Sequence, residues 1–268
     1  MRTLSDAFPT TGRWTPEQTK LAFELYCRTP FGQLHGRNRS VIAIAQLIGR
    51  TPDAVAMKCL NIASLDPQVI ASGRVALGNA SDLDREIWAE FHADWERLAL
   101  ECEQLRQWVS RERGVDGGAI GPPTEPDLPS DFTGATREVL VRQRIGQTFF
   151  RHAVLGSYGG RCCISGVSDA RLLVASHIVP WAIDEQNRLN PSNGLCLSAI
   201  HDKAFDNHLF TLDDDRRVVL SAQLKRSTDA FLREVFWSVE GRPIRLPERF
   251  VPDPVLLARH RKVTLAAT

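Results

Sequence analysis

Apolar positions recur at helical spacing in the first quarter of the chain, and capping residues mark where the helices begin. Thr15-Pro16-Glu17 predicts a helix start, because threonine caps, proline suits the first helical position and glutamate favours the helix dipole. This helix should reach about residue 27, and two more are predicted over 40–48 and 52–62. Gly49-Arg50-Thr51 joins the last two, a pattern typical of a helix-turn-helix, which occurs in DNA-binding proteins and as a plain structural hairpin.

A heptad stripe with alternating spacings of three and four runs through residues 82–112 and predicts a long helix. The stripe either packs within its own domain or forms a seam that dimerises the protein. Three bulky aromatic residues suit a domain core better than a regular coiled-coil seam, so the first interpretation is favoured. The stripe consists of Trp88, Phe91, Trp95, Leu98, Cys102, Leu105 and Val109.

A Gly/Pro-rich segment over residues 113–135 predicts a linker between two domains, 1–112 and 136–268. Beyond it the pattern changes from helical to mixed. An apolar β-type run over 172–179 carries His177 near its end, a second short run covers 194–197, and residues 199–206 are predicted to form a helix. The chain is therefore expected to be α+β, with a helical N-terminal domain and a strand–loop–strand–helix unit in the C-terminal domain.

The net charge of +1 hides a pattern along the chain. Residues 1–75 carry nine Lys/Arg and five Asp/Glu (+4), residues 76–131 five and thirteen (−8), and residues 132–268 nineteen and fourteen (+5). Two mildly basic segments around an acidic one give weak support for nucleic-acid binding, because a solvated acidic helix explains the middle segment equally well. The candidate DNA contacts are Arg37, Arg39, Arg50 and Lys58 in the first segment, and Arg144 and Arg151 on a predicted helix after the linker.

Several protein classes are disfavoured by composition. No apolar run approaches the roughly 18 residues that cross a membrane, and the first 13 residues contain no apolar signal core. The six cysteines include no C-x-x-C pair, which argues against a zinc knuckle, and a chain of this length is not a disulfide scaffold. A cytoplasmic protein without a membrane partner is expected.

The residues around His177 resemble the HNH endonuclease family, through "SHIVPW", "NPSNGLCLSAIHDKAFD" and "HLFTLDDDRRVVLS". The similarity covers roughly residues 137–262 and is greatest to the subgroup without zinc-knuckle cysteines that is often found in restriction-type nucleases. The resemblance implies a ββα-metal fold that hydrolyses DNA with a divalent cation. It also implies that His177 is the catalytic base, that Asn193 fixes the loop between the strands, and that His201 binds the metal.

The chemistry of phosphodiester hydrolysis is consistent with these roles. A neutral imidazole can take a proton from water near neutral pH, and a divalent cation can neutralise the phosphate. Many family members carry Asp before the base, where this chain has Ser176. A single histidine does not hold Mg²⁺, so Asp206, Asp202 or the DNA phosphate is needed as a second ligand, with Asp206 our choice. The cation is expected to be Mg²⁺, Mn²⁺ or another metal that tolerates imidazole.

The segment "LIGRTPDAVAMKCLN" at residues 47–61 resembles the N-terminal DNA-recognition region of modified-cytosine-dependent HNH restriction enzymes. That resemblance implies defence against foreign DNA; otherwise the domain is a general DNA-binding helix-turn-helix. Because one HNH site cuts one strand, cleavage of both strands of double-stranded DNA predicts a homodimer, formed at least on DNA. A non-catalytic DNA-binding regulator that keeps the nuclease fold and a mobile-element nuclease are the alternatives.

Overall fold

The computed structural model describes residues 3–73, 78–114 and 135–266, and the chain divides into two compact units, Met1–Ala153 and Val154–Thr268. The linker predicted over 113–135 lies almost wholly outside the described residues. The first unit is helical and the second combines helices with two small antiparallel sheets. Among the helices that the structure describes, none is long and apolar enough to cross a membrane.

Eight helices are described that begin in the N-terminal unit, and their starts follow the capping residues. The Thr15 hydroxyl accepts a hydrogen bond from the Gln18 amide ahead of α2, and Thr51 caps α4 in the same way. Gly49 ends α3 with φ +74°, a left-handed conformation that favours glycine. The helices are α1 (Leu4–Ala7), α2 (Pro16–Arg28), α3 (Arg39–Ile48), α4 (Pro52–Ala63), α5 (Pro67–Ala71), α6 (Asp82–Ala93), α7 (Trp95–Arg113) and α8 (Ala135–Ser157).

The heptad stripe is divided between two helices, not carried by one. Asp94 ends α6 and its carboxylate caps α7 by accepting a hydrogen bond from the Arg97 amide. The stripe residues Phe91 and Trp95 stack against Phe23 of α2, with ring centroids 6.2 Å away in both cases. Since these aromatic side chains are buried within the unit, the stripe forms part of its core and is not a surface seam.

The C-terminal unit is built around two β-hairpins and the helix that follows the first one. The strands β1 and β2 are antiparallel, with Leu173 opposite Ser198 and His177 opposite Gly194. A second pair, β3 and β4, places Phe210 opposite Leu220. The elements are β1 (Leu173–His177), β2 (Gly194–Ser198), α9 (Ala199–Asp206), β3 (Phe210–Leu212), β4 (Val218–Leu220), α10 (Ala222–Lys225), α11 (Ala230–Leu232), which continues into a π-helical turn (Arg233–Trp237), and α12 (Pro254–Ala266).

The core of this unit holds α9 against the sheets. Phe205 on α9, Phe210 on β3 and Phe236 in the π-helical turn are almost completely buried. The ring centroids of Phe205 and Phe210 lie 5.4 Å apart, and those of Phe210 and Phe236 lie 6.0 Å apart. This aromatic cluster fixes which face of α9 is turned inward, and therefore which residues remain available on its other face.

Candidate active site

A cleft of about 450 Å³ opens where the end of β1 faces α9. One wall is the strand end and the start of the following loop; the other is α9 with the residues just after it. The cleft gathers His177, Asp202 and Asp206, residues named as candidates from the sequence, although His177 is more than 20 positions from the other two. Its lining residues are Val174, Ala175, Ser176, His177, Ile178, Pro180, Trp181, Asp202, Asp206, His208 and His260.

His177 is held as a neutral imidazole with a defined tautomer. Its Nε2 lies 2.9 Å from the carbonyl oxygen of Arg188. A carbonyl only accepts, so Nε2 carries the proton and Nδ1 keeps the lone pair. Burial lowers the pKa of His177, an effect that outweighs the opposing influence of the Arg188 carbonyl and the Asp202 carboxylate. Near neutral pH, Nδ1 can therefore accept a proton.

Asn193 ties the loop between β1 and β2 into a fixed shape. Its fully buried side chain accepts a hydrogen bond from the Val179 amide at 2.8 Å and donates to the carbonyls of Val179 at 3.0 Å and Asn187 at 3.1 Å. The Asn187 carbonyl immediately precedes Arg188, whose own carbonyl holds His177. The amide side chain thus fixes the segment that orients the imidazole, without contributing to the chemistry itself.

The acidic residues of the cleft lie on one face of α9. Asp202 and Asp206 are four residues apart, so their side chains project from successive turns of the same face. Partial burial, and then repulsion by the Asp202 carboxylate, raise the pKa of Asp206. Two mutually repelling carboxylates that share a cleft provide negative charge that a cation would neutralise.

His201, expected to bind metal opposite His177, is not among the residues that line the cleft. Its buried Nε2 has no hydrogen-bond partner among the described residues, so its role in metal binding stays a prediction. His201 is 3 % exposed and lies on the inward face of α9, where its ring packs edge-on against Phe236 (5.3 Å between centroids) and Phe210 (6.4 Å). Its Nδ1 shares a 2.7 Å hydrogen bond with the Ser198 hydroxyl. The reason is the helical period: His201 and Phe205 share the apolar face, and Asp202 and Asp206 share the cleft face. Asp202, unlike His201, lines the cleft.

His208, two residues after the end of α9, also lines the cleft. It adopts φ +55°, a left-handed conformation that is uncommon for a residue other than glycine. Its Nδ1 lies 2.9 Å from the hydroxyl of Thr264. No feature of the local sequence predicts this contact, because Thr264 is 56 residues away.

The carboxylate pair fits a hard divalent cation. Mg²⁺ is bound through one or two carboxylates and completes its shell with water and substrate phosphate. Ser176 lines the cleft and is 2 % exposed, and its hydroxyl oxygen has no hydrogen-bond partner among the residues described. A ligand bound in the cleft could supply that partner. Within the same described part of the chain, no three His, Cys, Asp or Glu side chains form a group that could hold a metal ion.

Two predicted DNA contacts in the N-terminal unit are occupied by internal interactions. Lys58 is 6 % exposed and its ammonium lies 2.8 Å from the buried carboxylate of Asp84. Arg50 donates hydrogen bonds to the carbonyls of Gly12 and Arg13 and to the Gln18 side chain. The structure therefore removes Lys58 from the residues that a phosphate could reach and gives Arg50 a role in joining the segment before α2 to the end of α3.

The remaining predicted DNA contacts differ in exposure. Arg37 and Arg39 are exposed around the start of α3, whereas Arg144 and Arg151 are half-buried on α8. None of these four is part of the cleft lining. They remain candidates for binding the DNA backbone and do not belong to the catalytic centre.

Comparison with known families agrees with the geometry of the C-terminal unit. Residues 162–213 match the family model described as HNH endonuclease, a segment that includes β1, β2, α9 and β3. No curated protein is similar enough to the chain to count as a match. The family match does not reach the N-terminal unit, so the resemblance of residues 47–61 to modified-cytosine-dependent enzymes has no support from it. The C-terminal region of this chain thus matches the HNH endonuclease family over residues 162–213.

Proposed function

We propose that the protein is a divalent-metal-dependent DNA endonuclease whose centre consists of His177, Asp202 and Asp206. The observation that carries this proposal is the shared cleft: a neutral imidazole with its Nδ1 lone pair retained faces two carboxylates on the opposite wall. The HNH match over residues 162–213 supports the same class of reaction. The proposal keeps the roles predicted from the sequence for His177 as the base and for Asp206 as a metal ligand. It assigns to Asp202 the ligand role that was predicted for His201.

Each residue has a separate task in the proposed reaction. His177 takes a proton from the attacking water at Nδ1 while its Nε2–H remains hydrogen-bonded to the Arg188 carbonyl. Asn193 donates to the neighbouring Asn187 carbonyl and so holds the segment that carries the Arg188 carbonyl. Asp202 and Asp206 hold the cation, which would neutralise the phosphate and stabilise the leaving oxygen when bound. The carboxylate ligands favour Mg²⁺ or Mn²⁺ more strongly than the imidazole ligand predicted from the sequence did.

The test is a plasmid-relaxation assay with a panel of cations. Purified protein is incubated with supercoiled DNA in Mg²⁺, Mn²⁺, Co²⁺, Ni²⁺ or EDTA, and DNA binding is measured under the same conditions. Cleavage with Mg²⁺ or Mn²⁺ and none in EDTA is the expected result. Tight DNA binding without cleavage in every cation would refute the proposal.

A non-catalytic DNA-binding regulator is the second candidate, and one observation favours it. Ser176 stands before the base where many HNH enzymes carry an Asp, so the site lacks one strong oxygen ligand. Ser176→Asp separates the two functions. A catalytic site that works with two carboxylates should cleave DNA as the wild type and change at most in cation requirement. A regulator that has lost one ligand should gain cleavage only in the variant.

We also propose that the protein acts in restriction of foreign DNA in the cytoplasm, with the N-terminal unit binding double-stranded DNA. The motivation is α3 and α4, which follow one another with a three-residue connection, and the exposed Arg37 and Arg39. Methylated and unmethylated copies of one plasmid should be compared for cleavage rate. Preference for the modified copy supports modification dependence, and equal rates refute it.

A single centre of this kind cuts one strand, so double-strand breaks would require two copies of the chain on the DNA. Light scattering with and without duplex tests this proposal of a homodimer. The expected result is a mass of two chains on DNA. A monomer in both states that still produces double-strand breaks would contradict it.

A further inference from the structure

The helix α12 lies beyond residues 162–213, the segment that matches the family model, and its side chains are bonded to both walls of the cleft. On the wall that carries the base, Arg259 forms a 2.5 Å ion pair with Asp184 in the loop that follows β1. On the wall that carries the carboxylates, His260 and Thr264 contact residues of α9, β3 and the connection between them. One helix therefore contacts both walls of the cleft.

Asp184 is the centre of the contacts that shape the loop. Its carboxylate, 13 % exposed, accepts hydrogen bonds from both the backbone and the side-chain amide of Asn187, each at 3.2 Å. The Asn187 carbonyl in turn accepts from Asn193, and the next carbonyl, that of Arg188, holds His177. Burial alone would raise the pKa of Asp184, but hydrogen bonds from Arg259 and Asn187 outweigh it and lower the pKa. The carboxylate therefore stays ionised and keeps its partners.

On the opposite wall, His260 lies against the backbone of α9. Its ring stacks on Phe205 with centroids 3.8 Å apart and planes 4° apart. Its Nε2–H donates to the Phe205 carbonyl at 3.2 Å, so its Nδ1 accepts from the Thr211 hydroxyl at 2.9 Å. Phe205 directly precedes Asp206, so these contacts fix the part of α9 that presents the carboxylates.

We propose that Arg259, His260 and Thr264 form a C-terminal clamp that sets the position of His177 relative to Asp202 and Asp206. These are positioning residues, since none is assigned contact with the reacting atoms. The argument is geometric: the loop that orients the imidazole and the helix that bears the carboxylates are both hydrogen-bonded to one 13-residue helix. The rate of catalysis depends on the distance between the base and the groups on the opposite wall, and a small displacement of either lowers the rate by a large factor. The inference rests on the proposed nuclease function.

The test changes only the contact between Arg259 and the loop after β1. The Arg259 side chain is 45 % exposed, so it can be replaced without leaving a cavity in the core. Arg259→Gln should slow single-turnover cleavage of a defined duplex about fivefold, the scale of one exposed ion pair, with DNA affinity unchanged. Arg259→Lys should restore most of the rate. The control is Arg261→Gln on the same helix, which removes the same charge, an ion pair to Asp214 and a hydrogen bond to the Leu212 carbonyl. None of these contacts reaches the loop that holds His177, so this variant should cleave at the wild-type rate.

A second readout does not depend on cleavage. The His177 Nε2–H proton, followed by NMR, should exchange with solvent faster in Arg259→Gln than in the wild type or Arg261→Gln. Wild-type protein that cuts no DNA would refute the nuclease proposal, and the proton exchange would still test the clamp. Unchanged exchange in Arg259→Gln would overturn the clamp. So would a wild-type cleavage rate in that variant, or an equal loss in the Arg261 control.

Discussion

Replacing Asn193 by alanine should lower both the free energy of unfolding and the cleavage rate, and the loss of rate should exceed what unfolding alone explains. The side chain is fully buried and makes three hydrogen bonds, to the Val179 amide and to the carbonyls of Val179 and Asn187. At about 1 kcal/mol each, their loss should lower the free energy of unfolding by about 3 kcal/mol, which corresponds to a decrease in Tm of roughly 10–20 °C for a domain of this size. Since the Asn187 carbonyl loses this bond and the adjoining Arg188 carbonyl is held less firmly against His177, cleavage should fall about 100-fold.

The assay compares thermal unfolding with single-turnover cleavage, measured at a temperature well below the Tm of the variant. Asn207→Ala is the matched control, because Asn207 is exposed and makes one side-chain bond to the Lys203 carbonyl at the end of α9; its effect on unfolding should stay within about 0.5 kcal/mol. If Asn193→Ala loses activity only in proportion to its unfolded fraction, the loop does not orient His177 and the reasoning is refuted.

Three further outcomes are expected. Asp206→Asn should weaken Mn²⁺ binding, measured by calorimetry, and reduce the cleavage rate about 100-fold. His201→Leu should leave the Mn²⁺ affinity and the cleavage rate within about threefold of the wild type. The reverse pattern would identify His201 as the metal ligand. Burial lowers the pKa of His152 and of His260 to about 4, so between pH 6.5 and 4 the unfolded chain binds more protons than the folded one. The free energy of unfolding measured in urea should therefore decrease as the pH falls through that window, by up to about 3 kcal/mol per histidine. A free energy that does not change with pH there would contradict this. Lys58→Met should destabilise the N-terminal unit by about 3–5 kcal/mol, since it strands the buried Asp84 carboxylate, and equal stability with weaker DNA binding would instead mark Lys58 as a DNA contact.

The sequence predicted the local structure of the N-terminal unit because the relevant information is local. Capping residues and Gly49 lie next to the helix ends they determine, and α4, expected over 52–62, is observed as Pro52–Ala63. The break at Asp94 was missed because the apolar spacing continues across it. Asp94 nevertheless is a good capping residue, and its position before Trp95 was the available clue.

The differences between prediction and structure at the site come from partners that are distant in the chain and from the choice of a helix face. The position of His177 near a strand end follows from the apolar run, which stops at Pro180, and the observed strand ends at His177. His201 was assigned to the cleft from the family resemblance alone, although Phe205 four residues later places it on the apolar face. Lys58 and Asp84 are 26 residues apart, so no local pattern predicts that the lysine is buried and paired.

The most direct test of the account is the single-turnover rate of cleavage by His177→Ala at saturating DNA and Mg²⁺ or Mn²⁺. Removal of a general base should lower the rate by about 10²- to 10⁴-fold, with the DNA affinity of the wild type retained and with His201→Leu, a substitution of the other histidine named for catalysis, remaining active. A His177→Ala protein that cleaves as fast as the wild type would contradict the assignment of this cleft as the catalytic centre.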